Sequence, residues 1–237
     1  VMVAFGIVAK NLADPVYYLA TNFMLVQLLG AVFAALLGAA ALAREEAFGT
    51  SELLFAMPAG RRTIALGKIA AALGLVAAFD AGLLATTFAT YAAIDVTLAQ
   101  PGQVVALFGA TAALHAAVFA LGLLATVRTA RPRGATSLAL GVVFGLYGLG
   151  VVGSLSEQMS ALRSLSPFHY AMPLRILEGD AVGGVATLLG IAVVAIAGAL
   201  RHWPNAARVE RLGRVFAGIH AFRDTFTTNR YYDTHKI

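Results

Sequence analysis

Five long apolar blocks, separated by shorter polar segments, constrain this chain more than any other feature. In a helix that rises about 1.5 Å per residue, roughly 20 apolar residues cross the ~30 Å of hydrocarbon in a bilayer. Only 12% of the residues are charged, whereas soluble domains carry about 25%. The sequence therefore predicts an all-α, polytopic helical membrane protein with five complete spans, at residues 18–43, 64–91, 104–127, 134–152 and 181–200.

The basic residues predict how these spans are oriented. Of the 17 Lys and Arg residues, only Lys10, Arg163 and Arg175 fall on one side of the predicted spans. The others fall at 44–68, 128–133 and 201–237. Lys and Arg accumulate in the cytoplasmic loops of membrane proteins, so we expect a multi-pass protein of the cell (inner or cytoplasmic) membrane with a cytoplasmic C-terminus. The net charge of +5 is thus explained by topology, and no nucleic-acid partner is expected.

A short polar island between the first two predicted spans has the pattern of a capped helix. Gly49 permits a turn, a hydroxyl at 50 or 51 can cap the free N–H groups, and Pro58 ends the helix. The acid at 52, in the first turn, suits the positive end of the helix. The helix would start at Thr50, Ser51 and Glu52. Its apolar face would consist of Leu53, Leu54 and Met57. Two interpretations remain open, an interfacial connector and a docking helix for a cytoplasmic partner.

Two motifs carry a resemblance to a known family. The first is Arg44-Glu45-Glu46, Gly49-Thr50, Glu52-Leu53-Leu54, Met57-Pro58, Arg61 and Gly67-Lys68. It resembles the loop after the second span of ABC-2-type transporter permeases. The second motif runs from Ser166-Pro167-Phe168 through His169-Tyr170 to Pro173 and Leu177-Glu178-Gly179-Asp180, and is similar to the external segment before that family's last span. The resemblance covers residues 18–200.

The resemblance implies a function and a set of partners. Such a permease is the membrane subunit of an ATP-driven exporter, with six spans and a second, identical or homologous permease subunit beside it. A separate cytoplasmic ATP-binding cassette ATPase would bind ATP and Mg. This chain would contact that ATPase through a coupling element comprising Glu45, Glu46, Gly49, Thr50, Ser51, Glu52, Leu53, Leu54, Met57 and Pro58.

The same resemblance implies the domain limits and shows two differences from the family, one at each end of the chain. The transmembrane permease domain is assigned to residues 1–200, in which 1–9 would be the end of a truncated first span. The cytoplasmic tail, 201–237, is longer than is usual in the family. Its apolar and basic residues recur at helical spacing, which predicts a basic amphipathic helix on anionic lipid, with partner binding as the alternative.

Asp80 and His115 are polar residues near the middle of two consecutive predicted spans. An intramembrane carboxylate is costly and needs a partner inside the bundle. One hypothesis is an Asp80–His115 pair that lines a substrate or proton path. The alternatives are a structural hydrogen bond between two helices, or a protonated Asp80 bonded to Thr86 or Thr87.

Several polar residues fall in the predicted external segment. Pro167 and Pro173 should bend it into short helices, and Ser166, Phe168 and Tyr170 belong to the family motif. We expect its charged residues, Arg163, Arg175, Glu178 and Asp180, to be solvated. Neither His169 nor His202 has a second ligand at useful spacing, so no metal site is predicted.

Catalysis by this chain is not expected. It has no G-x-x-x-x-G-K-[ST] motif for ATP, no G-x-S-x-G, no H-E-x-x-H and no cysteine. No cofactor is therefore predicted for this chain itself. The competing function is an accessory or structural membrane subunit of a larger complex, without transport activity. The sequence leaves the substrate unidentified.

Overall fold

The computed structural model describes residues 14–42, 61–129, 132–155 and 157–202. Within these ranges the chain is helical, without strands. Four long helices come first: α1 (Pro15–Ala41), α2 (Arg61–Ala93), α3 (Pro101–Arg128) and α4 (Pro132–Gly153). A 3-10 turn (Glu157–Met159) and three short helices follow, α5 (Ser160–Ser164), α6 (Pro167–Tyr170) and α7 (Pro173–Leu177). The last described helix, α8, is Ala181–His202.

Five of these helices, α1, α2, α3, α4 and α8, are long and apolar enough to cross a membrane. The predicted fold class and its five spans are thus confirmed. Four of these helices begin two or three residues before the predicted spans because their first turns are polar or carry proline, whereas α8 begins at Ala181 as predicted. In α1, the Asp14 side chain accepts a hydrogen bond of 2.8 Å from the Val16 N–H, and Pro15 occupies the first turn. Hydropathy marks only the apolar part of such a helix.

The third span, α3, lies at the centre of the bundle, and its closest neighbour is α1. Small residues on α1, among them Ala31, Ala34 and Ala35, are fully buried against it. At Gly122 of α3 the two backbones approach so closely that a Cβ atom would lie 2.4 Å from the Ala35 carbonyl oxygen. Close packing of small residues is a main source of helix association in a bilayer, where the surrounding lipid is as apolar as the helix surfaces.

Large apolar side chains cover the outside of the bundle. They are well exposed on several spans and include Leu25, Leu29, Leu66, Leu75, Val193 and Val194. The interior, by contrast, contains the buried polar residues Gln27, Asp80, Thr111 and His115. A soluble domain does not expose apolar surface on this scale. The distribution fits a bundle whose solvent is lipid.

Part of the sequence prediction lies outside the described residues. This holds for the proposed coupling element at 45–58, for residues 1–9 with Lys10, and for the tail beyond His202. The capped helix in the polar island and the amphipathic helix in the tail therefore stay predictions. The described helices α1 and α2 end and begin on either side of the island, at Ala41 and Arg61.

The close approach of α1 and α3 gives a stability prediction. Gly122→Ala should destabilise the protein by about 1–3 kcal/mol, because the new methyl group forces the two helices apart. In the matched control Gly109→Ala, also in α3, a Cβ atom meets no atom within 4 Å. The control should be neutral or stabilising, since alanine favours helix by up to about 1 kcal/mol over glycine. Thermal unfolding of the purified protein in detergent measures both. Equal midpoints for the two variants would contradict the packing described.

Candidate functional site

Asp80 of α2 and His115 of α3 meet inside the bundle. The His115 Nδ1 atom lies 2.7 Å from the Asp80 Oδ1 atom, and both residues are buried. Thr86 and Thr87 do not contact Asp80, because their hydroxyls donate to the carbonyls of Gly82 and Leu83, one turn earlier in α2. The partner of the intramembrane carboxylate is thus the histidine of the next span.

The second ring nitrogen of His115 decides how many protons the pair holds. His115 Nε2 lies 3.2 Å from the Gln27 carbonyl oxygen of α1. A carbonyl oxygen only accepts, so Nε2 carries a hydrogen. The Nδ1–Oδ1 contact then needs one shared proton, held either on the imidazole or on the carboxyl group. In both cases the pair has no net charge, which lowers the cost of burying it in hydrocarbon.

Gly30 of α1 makes room for the imidazole. A Cβ atom at this position would lie 2.3 Å from His115 Cε1. Any other residue at position 30 would push His115 away from α1 and break its contact with Gln27. The role of Gly30 was not predictable from the sequence, since a single glycine within an apolar span has no distinctive pattern.

Gln27 extends the network toward the end of the bundle where α6 and α7 lie. Its side-chain Nε2 donates to the Thr111 hydroxyl at 3.0 Å and to the Ala171 carbonyl oxygen at 2.8 Å. Ala171 follows α6. The polar network, which comprises Gln27, Asp80, Thr111 and His115, therefore joins α1, α2, α3 and the segment before α8. Among the described residues, the other Asp80 oxygen, Oδ2, has no hydrogen-bond partner.

The predicted external segment folds back onto the spans. As its prolines predict, α6 begins at Pro167 and α7 begins at Pro173. Ser166, Pro167 and Phe168 are buried, and the Phe168 ring packs edge-on against Tyr147 of α4 with 5.4 Å between centroids. The Tyr170 hydroxyl donates to the Ser164 carbonyl oxygen at 2.9 Å. This segment is thus a packed cover on one end of the bundle.

The prediction that all four charged residues of this segment are solvated holds for its two acids and only in part for its two arginines. Glu178 and Asp180 are exposed, whereas Arg163 in α5 and Arg175 in α7 are half-buried. Arg175 Nη1 lies 2.7 Å from His169 Nε2, and Nη2 donates to Asp180. Burial first, and then the charges of Arg175 and Arg163, lower the pKa of His169 to about 4.

No group of three possible metal ligands comes together among the described residues. The polar network supplies one carboxylate and one imidazole, and both are committed to each other. The cluster around His169 is dominated by two cationic guanidinium groups. Neither geometry suits a divalent cation.

Comparison with known proteins identifies the family. The family model described as "ABC-2 family transporter protein" matches residues 3–202. The chain belongs to the ABC-2 transporter family. As an ABC-2 protein it is a membrane permease of ABC type, a transport component rather than a catalyst. The matched region contains all five spans, the polar island and the external segment. No curated protein and no solved structure matches the chain.

The polar network predicts graded effects at Asp80. Asp80→Asn should unfold close to the wild type, because the amide N–H can still donate to His115 Nδ1. Asp80→Leu leaves that nitrogen without a partner and should cost about 1–2 kcal/mol. Thermal unfolding in detergent compares the two. Equal losses of stability in the two variants would contradict a structural hydrogen bond. Unchanged transport by Asp80→Asn would refute the hypothesis that the pair lines a substrate or proton path.

The lowered pKa of His169 predicts a pH effect on stability. The folded-state pKa of about 4 lies below the ordinary value of 6.5. Between these values the unfolded chain binds a proton that the folded protein does not, so stability is lost as the pH falls from about 6.5 to about 4. His169→Gln should flatten the pH profile of the unfolding temperature in this window. Parallel profiles for both proteins would contradict the burial of a neutral His169.

Proposed function

We propose that this chain is the membrane-spanning subunit of an exporter, in which a separate ATP-binding cassette ATPase drives substrate movement by alternating access. The family match over residues 3–202 supports this proposal more than any other observation. The chain has no phosphate-binding G-x-x-x-x-G-K-[ST] sequence. ATP and Mg would therefore bind to the partner, and transport would depend on it.

Residues 45–58 are the proposed contact with the ATPase. They connect α1 to α2, and these two helices carry the network residues Gln27 and Asp80. A displacement of the loop would act directly on the ends of both helices at Ala41 and Arg61. The coupling element would thus move spans that are joined to the centre of the bundle.

The contacts along α2 indicate which part of this helix is attached to the centre of the bundle. Near its middle, Asp80 contacts His115 of α3, and near its far end the Tyr91 hydroxyl donates to the Pro15 carbonyl oxygen of α1 at 3.0 Å. Near the loop, Ala65 and Ile69 of α2 are buried in an apolar cluster, and Lys68 also has an interaction partner there. The loop-proximal half of α2 adjoins the proposed coupling element, so it is the part that we expect to shift when the ATPase closes.

A second permease subunit, identical or homologous, and the lipid bilayer complete the proposed assembly. The transporter would lie in the cell membrane with the polar island and the C-terminus in the cytoplasm, as the distribution of Lys and Arg predicts.

The coupling element is tested by affinity purification in mild detergent. Wild type and Glu52→Arg are each isolated from the native membrane, and the bound proteins are identified by mass spectrometry. We expect the wild type to recover an ATP-binding cassette ATPase, and Glu52→Arg to recover at least about tenfold less of it. The substitution removes a favourable ion-pair or cap contact of about 1–2 kcal/mol and introduces the opposite charge.

Glu178→Arg is the matched control, because it makes the same charge change at the other end of the bundle, where Glu178 is exposed. It should retain the ATPase. Equal ATPase recovery with all three proteins would refute the assigned coupling element. Recovery of a different membrane assembly without an ATPase would refute the exporter and favour the accessory-subunit function.

A further inference from the structure

A polar cavity of about 430 Å³ lies beside the cover formed by α5, α6 and α7. It is separate from the Asp80–His115 pair, which is enclosed between α1, α2 and α3. Its lining residues come from the end of α4 and from the cover itself, and they are Ser154, Arg163, His169, Met172, Leu174 and Arg175. In the predicted orientation this cavity faces the outer side of the membrane.

The contact between Arg175 and His169 fixes the hydrogen on the imidazole. A guanidinium group only donates, so His169 Nε2, 2.7 Å from Arg175 Nη1, must accept. The hydrogen of the neutral ring is therefore on Nδ1. That Nδ1 atom is buried and has no hydrogen-bond partner among the described residues. His169 thus presents a donor without an acceptor.

Arg163 has the same deficiency. Its Nε atom is buried without a hydrogen-bond partner, again among the described residues. In that part of the chain the carboxylate of Asp180 pairs with Arg175, and none pairs with Arg163. Within the described residues the cavity is thus lined by two guanidinium groups and by no carboxylate, which leaves it positively charged.

Buried donors without acceptors are costly, and the cost is greater for charged groups. Here the two side chains that carry these donors, one of them cationic, both line one cavity. A bound anion would remove both deficiencies at once. Arginine favours planar or tetrahedral oxyanions, because its N–H groups can donate to two oxygens together.

We propose that this cavity binds the oxyanion of a phosphate group, held by Arg163, the Nδ1–H of His169, and Arg175. Phosphate fits because it offers several acceptor oxygens to donors that approach from different helices. The phosphate can belong to a lipid headgroup at the membrane surface or to a soluble molecule. This inference does not depend on coupling to an ATPase.

The electrostatics around His169 agree with this assignment. Arg175, Arg163, Asp180 and the ring of Tyr170 surround the imidazole, and the two arginine charges add to burial in lowering its pKa. His169 is therefore neutral at pH 7, with Nδ1–H as a donor. The same positive field that disfavours a proton on His169 attracts an anion.

The test is a thermal-shift titration of the purified full chain in a neutral detergent. Inorganic phosphate is added at constant ionic strength, with chloride as the reference anion. We expect a saturable rise in the unfolding temperature of the wild type. Arg163→Gln and His169→Gln should each bind phosphate at least about tenfold more weakly, because each loses one donor to a charged acceptor.

Arg201→Gln is the matched control, since Arg201 is exposed near the end of α8, away from the cover. Its unfolding temperature should rise with phosphate as that of the wild type does. Phosphate also stabilises folded proteins in general, and this control shows that a loss of stabilisation is specific to the cavity residues. If Arg163→Gln does not fold, Arg163→Lys keeps the charge but removes the Nε donor, and it should also weaken binding. Equal titrations for all variants would overturn the proposal.

A second titration with a short-chain phosphatidylglycerol distinguishes the two sources of phosphate. Stabilisation by this lipid but not by inorganic phosphate, lost in Arg163→Gln, would assign the site to a lipid headgroup. Stabilisation by both, with the same dependence on Arg163, would assign it to phosphate itself. No stabilisation by either ligand, or stabilisation that is equal in Arg163→Gln, would refute the site.

Discussion

The structure depends on one constraint, namely that polar groups inside hydrocarbon need partners within the protein. The backbone meets it by forming continuous helices through all five spans. The side chains meet it through the polar network, in which Asp80 and His115 share a proton and Gln27 supplies both a backbone acceptor and side-chain donors. These contacts fix the positions of α1, α2, α3 and the segment before α8 relative to one another.

The same constraint explains where the small residues are. The imidazole of His115 reaches the Gln27 carbonyl only because position 30 is glycine. Ala31, Ala34 and Ala35 continue this narrow face of α1 against α3. Polar pairing and close packing are therefore one arrangement, since the helices must approach closely before their side chains can meet.

Some elements of the site were predictable and others were not. The Asp80–His115 pair was predicted as one of several alternatives, because a lone intramembrane carboxylate needs a partner and adjacent antiparallel spans place residues 80 and 115 at similar depth. The role of Gly30 and the backbone contact of Gln27 could not be predicted, because both depend on how α1 is rotated about its own axis in the bundle. The basic cavity was missed, since Arg163, His169 and Arg175 look like separate polar residues until three short helices fold them together.

The sequence alone determined the five described spans, their approximate limits and the family. Hydropathy and short motifs are local properties, so they can be read from each segment without knowledge of its neighbours in space. The sequence also placed the proposed coupling element between the first two spans. Only the tertiary structure decided which partner Asp80 takes, which face of each helix is buried, and that two arginines and a histidine share one cavity. These features depend on helix rotation and crossing, which are set by the packing of side chains distant in sequence.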